Sequence, residues 1–123
     1  MPDIFFQTAQ GELSEDIKCL EGIISHCKSD SDVISSYKEI ERHLHKIKGL
    51  SPMIGFDKMR DIANLVDKIL IDIIENDLKF ASYDFVNEAI KTMKMILNEQ
   101  DLTAEQMRIK NKISFPQILK LFG

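Results

Sequence analysis

A chain of 123 residues, 44% hydrophobic and 29% charged, has the balance of one globular domain built on a single core. Its formal net charge is −4 and its 16 Lys and Arg residues are dispersed, so there is no basic stripe of the kind that neutralises nucleic-acid phosphates. The longest apolar runs are only a few residues and the start, Met-Pro-Asp-Ile-Phe-Phe, lacks the pattern of a signal peptide, so a cytoplasmic protein without membrane insertion is expected.

Hydrophobic residues recur at helical spacing almost throughout. The first stripe runs Phe6, Ala9, Leu13, Ile17, Leu20, Ile24 and Cys27, steps of three and four that place the set on one face. Cys19 and Cys27 fall on this predicted helix about 12 Å apart by the helical rise, too far for a mutual disulfide. With no Cys-x-x-Cys spacing, no structural metal site is expected. Ser29-Asp30-Ser31-Asp32 then offers capping side chains before a second stripe of Val33, Tyr37, Ile40, Leu44, Ile47, Ser51 and Ile54. Gly55 suits the left-handed conformation that ends a helix, and Asp57 is expected to cap the next.

The third stripe is Met59, Ile62, Val66, Ile69 and Ile73, widened by Ala63, Leu70 and Ile74. Ser82 is read as a fourth start, followed by Phe85, Val86, Ala89, Ile90, Met93, Ile96 and Leu97. No segment alternates with a period of two. The predicted fold is therefore all-α, an antiparallel up-down four-helix bundle over residues 4–100 within one domain spanning 1–123. Residues 101–123 read as a short C-terminal helical extension. Its Ile113, Phe115, Ile118, Leu119, Leu121 and Phe122 are expected to pack on the bundle, with a partner-binding or dimer-forming segment as the alternative.

The polar side of the second helix carries the most chemistry. His45 points away from the Ile40, Leu44 and Ile47 stripe, among Glu41, Lys48, Gly49 and Pro52. An exposed imidazole is a nucleophile near pH 7, and Lys48 supplies positive charge where a transferred phosphoryl group would be negative. Gly49 weakens a helix by about 1 kcal/mol relative to alanine, and close approach of another protein is a reason to keep it. If the second and third helices form a hairpin turning at Gly55, Asp67 comes within reach of His45, where its carboxylate would hold Nδ1–H and leave Nε2 to attack. Pro52 lacks a donor for the Lys48 carbonyl, which predicts a kink or loosened turn just after the histidine.

Other residues have simpler readings. His43 is expected at the core edge in a structural role, and His26 beside the negative pole of the first helix. Met53, Met59, Met93, Met95 and Met107 read as core filler, and Asp61 and Asp72 as solvated charges.

The pattern His45-x-x-Lys48-Gly49-x-x-x-x-x-Gly55 resembles the signature of histidine-phosphotransfer (HPt) domains. The stretch from Arg42 to Leu70, with Gly55-Phe56 and the acid at Asp67, most resembles the amino-terminal phosphotransfer domain of the chemotaxis histidine kinase CheA. The resemblance implies that His45 is the phosphoryl acceptor, Lys48 the neighbouring cation, Gly49 the clearance residue and Asp67 the hydrogen-bond partner that is glutamate in those kinases. Asn64 falls where they commonly carry a second histidine. Gly49, Leu50, Pro52, Met53 and Phe56, with Ile54, form the expected docking shoulder. The implied partners are a response-regulator receiver domain and a histidine kinase catalytic domain. No cofactor is expected on this chain, and the divalent metal would belong to the partner. No glycine-rich phosphate loop is present, so the chain is expected to be a phosphocarrier with no ATP-binding site of its own and not a complete kinase. A monomer is expected. The alternatives are a detached phosphotransfer domain of a chemotaxis-type kinase and a non-phosphorylated helical adaptor or dimerisation module.

Overall fold

The computed structural model describes residues 2–98, with side chains from Ile4 onward, and every regular element among them is helical. The order is α1 (Pro2–Ser25), α2 (Asp30–Ser35), α3 (Tyr37–Leu50), a 3₁₀ turn (Ser51–Ile54), α4 (Asp57–Asn76) and α5 (Ser82–Leu97). The extension expected over 101–123, and Met107 within it, lie outside the described residues.

The second stripe, expected as one helix, is divided. At Ser36 the backbone N–H is shared between the carbonyls of Asp32 and Val33, which closes α2, while the Ser36 carbonyl accepts from Ile40 and opens α3. Serines at 35 and 36 favour such a local break because their side chains compete for backbone groups. Both pieces still turn the same face inward, with Val33, Ile40, Leu44 and Ile47 buried.

The ends are fixed by identifiable bonds. Ser29 Oγ accepts from Asp32 N at 3.2 Å, and Asp32 Oδ2 accepts from Lys28 N at 2.8 Å, a reciprocal N-terminal cap. Asp57 does not cap α4: Phe56 holds that position without a side-chain bond, and Asp57 lies in the first turn instead. Likewise Ser82 is the first residue inside α5, and the cap there comes from across the fold. Asp30 Oδ1 accepts from Tyr83 N at 2.9 Å, tying the start of α5 to α2. Gly55 has φ +83°, the left-handed conformation that ends the 3₁₀ turn.

The α-helix does not continue through Pro52. It ends at Leu50, and the chain tightens into the 3₁₀ turn, where the missing N–H of Pro52 falls among donors that have no helical partner anyway. Ser51 is buried, and its Oγ donates to the Ile47 carbonyl at 2.7 Å.

The long helices α1 and α4 each pack on α3 and α5. Leu97 of α5 lies beside Gln10 near the start of α1, while Tyr83 at the other end of α5 meets Asp30 beyond the end of α1. The arrangement is compatible with a four-helix bundle. All four stripes supply one continuous core in which Leu13, Leu20, Leu44, Met59, Leu70 and Phe85 are fully enclosed. Ile74 and Met95 depart from expectation in being exposed; Met53, read both as core filler and as part of the docking shoulder, is exposed, whereas Met59 and Met93 are core filler as read. Among the described residues no helix is long and apolar enough to cross a membrane.

Candidate functional site

Two buried carboxylates flank α3, one from each neighbouring helix. On the α1 side Asp16 lies at Oδ1–Nδ1 2.9 Å from His43, with the Lys46 ammonium at 3.8 Å. His43 therefore has the structural role expected of it. On the α4 side Asp67 accepts from the Tyr37 hydroxyl at 2.7 Å through Oδ1 and from Lys48 Nζ at 3.1 Å through Oδ2.

The second cluster corrects the pairing expected for Asp67. Its carboxylate makes no hydrogen bond with His45; both oxygens are taken by other residues of the same helix. The reason is angular. Eleven residues separate Tyr37 from Lys48, about three turns, which brings them within about 20° of one line along α3. Those two side chains border α4, while His45 is rotated from them by about 60° to 80° toward solvent. Burial and the Asp67 hydrogen bond both push Tyr37 ionisation above its ordinary range, so the phenol stays a donor.

His45 is exposed and, among the described residues, its side chain has neither a hydrogen bond nor an ion pair. It lies in a shallow depression on the outer face of α3 with Tyr37, Lys38, Glu41, Arg42 and Lys46. Arg42 and Lys48 lie three residues to either side of it, within reach along the helix surface. An anion added to the imidazole would thus meet cationic side chains on both flanks. A Cβ built on Gly49 meets no atom within 4 Å among the described residues, so none of them requires glycine there. Asn64 is exposed on α4 and its side chain makes no hydrogen bond among the described residues.

The shoulder below the histidine is mixed. Leu50, Ile54 and Phe56 pack partly against the core, Pro52 is half-buried, and Met53 is 62% exposed. Phe56 also meets Phe6 edge-on, with ring centroids 5.9 Å apart, which fixes the 3₁₀ turn against the start of α1. Among the described residues no group of three or more His, Cys, Asp or Glu side chains is arranged to hold a metal ion.

Tyr37, Arg42 and Asp16 were absent from the site expected from sequence. Tyr37 read as a core residue, although its eleven-residue spacing from Lys48 was a legible signal. Asp16 stands beside Ile17 and between Leu13 and Leu20 at helical steps, a buried position that demands a partner. His26 is as expected, its Nδ1 2.8 Å from the Gly22 carbonyl near the end of α1. Comparison with protein-family models, with curated proteins and with solved structures gave no match to this chain.

Proposed function

We propose that the chain is a histidine phosphotransfer protein, with His45 carrying a phosphoryl group from a histidine kinase catalytic domain or a phosphorylated receiver to the aspartate of a response-regulator receiver domain. One observation carries the reading. Among the described residues His45 is the unpaired, exposed histidine on α3, whereas the other histidine of that helix is tied to Asp16. The His45-x-x-Lys48-Gly49 pattern and the open space at Gly49 support it.

In the proposed reaction the Nε2 lone pair attacks phosphorus in line. An N–P bond forms as the donor's P–O bond breaks, and the departing oxygen keeps the electron pair. A receiver carboxylate then attacks the same phosphorus, and the N–P electron pair returns to Nε2. Little covalent chemistry is left for the protein, so positioning and charge do the work. Arg42 and Lys48 supply the charge, and the partner supplies the divalent metal.

Gly49, Leu50, Pro52, Met53 and Phe56 are proposed as the docking shoulder, with Met53 the most exposed anchor. The mutual packing of α1, α3, α4 and α5 supports an up-down four-helix bundle of the phosphotransfer type, with α2 as its lead-in. We place the protein in the cytoplasm as a monomer. Incubation with a cognate kinase domain or phospho-receiver should give an acid-labile, alkali-stable phosphoryl group on the wild type. Label persisting on His45→Gln would refute the assignment.

A further inference from the structure

We propose that Asp67 is a resting station for the Lys48 ammonium, released to the phosphoryl group when His45 is phosphorylated, and that Tyr37 is the positioning residue that permits the release. The proposal rests on the reading of His45 as phosphoryl acceptor. It adds a switch in side-chain partners that the acceptor role does not require.

The geometry separates the three members of the cluster. Lys48 Nζ lies 3.1 Å from Asp67 Oδ2, and the side chains are 24% and 13% exposed respectively. Lysine is thus the outer partner, on a flexible four-carbon stem one helical turn from His45. The carboxylate is the inner partner and cannot follow it. With His45 unmodified, Asp67 is the one carboxylate in ion-pair contact with the ammonium among the described residues, and the pair persists. Phosphorylation adds an oxyanion group carrying more negative charge than a carboxylate, at a more exposed point on the same helix.

Departure of Lys48 would leave a buried carboxylate with one oxygen unpaired, a costly state. The Tyr37 hydroxyl, 2.7 Å from Oδ1, remains in place and keeps that carboxylate hydrogen-bonded. Tyr37 is in the first turn of α3 and Lys48 in the last, so the two donors reach Asp67 from opposite ends and one leaves without displacing the other. No covalent bond changes in this step; one ion pair is exchanged for another.

The test uses the full chain with labelled lysine side chains, phosphorylated on His45 by phosphoramidate, with His45→Gln identifying the modified residue. Lysine Nζ and Cε resonances are recorded before and after, and Lys48→Gln assigns the signal. Before phosphorylation the Lys48 signal should respond to Asp67→Asn; afterwards it should move and lose that sensitivity. Tyr37→Phe should retain the resting Lys48 signal, which also reports an intact fold, but show release reduced by roughly tenfold. Its phosphohistidine hydrolysis rate should shift toward that of Lys48→Gln. A Lys48 signal unchanged by phosphorylation, or Tyr37→Phe behaving as wild type after it, would overturn the proposal and leave His45 as acceptor standing. Failure of phosphoramidate to label His45 would instead overturn both.

Discussion

Replacing Asp67 by alanine removes the acceptor that joins both ends of α3 to α4. Breaking a buried ion pair by deleting one partner costs about 3–5 kcal/mol when the other charge is trapped. Here the Lys48 side chain is 24% exposed, so its ammonium can rehydrate and that part of the penalty is reduced. What remains is the Tyr37 hydroxyl without its acceptor, at about 1.5–3 kcal/mol for a hydrogen bond to a charged group. We expect Asp67→Ala to lose about 2–3 kcal/mol, and Asp67→Asn less because its amide oxygen can still accept from Tyr37. Urea unfolding followed by circular dichroism should show the midpoint fall by about 1–2 M with little change in slope. A double-mutant cycle with Tyr37→Phe should give a coupling of about 1 kcal/mol or more. A loss below about 1 kcal/mol, or strict additivity with Tyr37→Phe, would refute the view that this cluster fixes α3 against α4.

Gly49→Ala should raise stability by about 0.5–1 kcal/mol, since an added Cβ meets nothing within 4 Å among the described residues. Gly49→Leu should slow transfer from a phospho-receiver while leaving phosphoramidate labelling of His45 intact, measured as initial rates with each donor. Asp30→Ala should cost about 1 kcal/mol in thermal or urea unfolding, because its carboxylate caps the Tyr83 N–H at the start of α5. Tyr37 holds its proton more tightly folded than unfolded, so the unfolded state binds fewer protons above the ordinary phenol range. Stability should therefore be complete below about pH 10 and decline as pH rises beyond it, and Tyr37→Phe should flatten that decline in urea titrations at graded pH.

The helical stripes were legible because burial imposes a period on the sequence: Leu13, Leu44, Val66 and Met93 all fall on the faces their spacing assigns them. The break at Ser36 was not, because one shared N–H ends α2 without interrupting the apolar period. Caps supplied by distant residues, such as Asp30 on α5, leave no local pattern to read. At the site, the exposure of His45 followed from its position opposite Ile40, Leu44 and Ile47. The partner of Asp67 did not follow, because counting residues from Gly55 gives height along a hairpin and omits rotation about the helix axis. Rotation is what gives Asp67 to Tyr37 and Lys48. Met53 illustrates a further limit, since composition cannot tell a methionine in the core from one on a shoulder.

The most direct test of the central claim is phosphoryl transfer onto the full chain from a cognate kinase domain or phospho-receiver, with the labelled residue mapped. The account predicts an acid-labile, alkali-stable phosphoryl group on His45, absent from His45→Gln and retained when His26 or His43 is replaced. Label on either of those histidines, or none on the wild type with an active cognate donor, would contradict it.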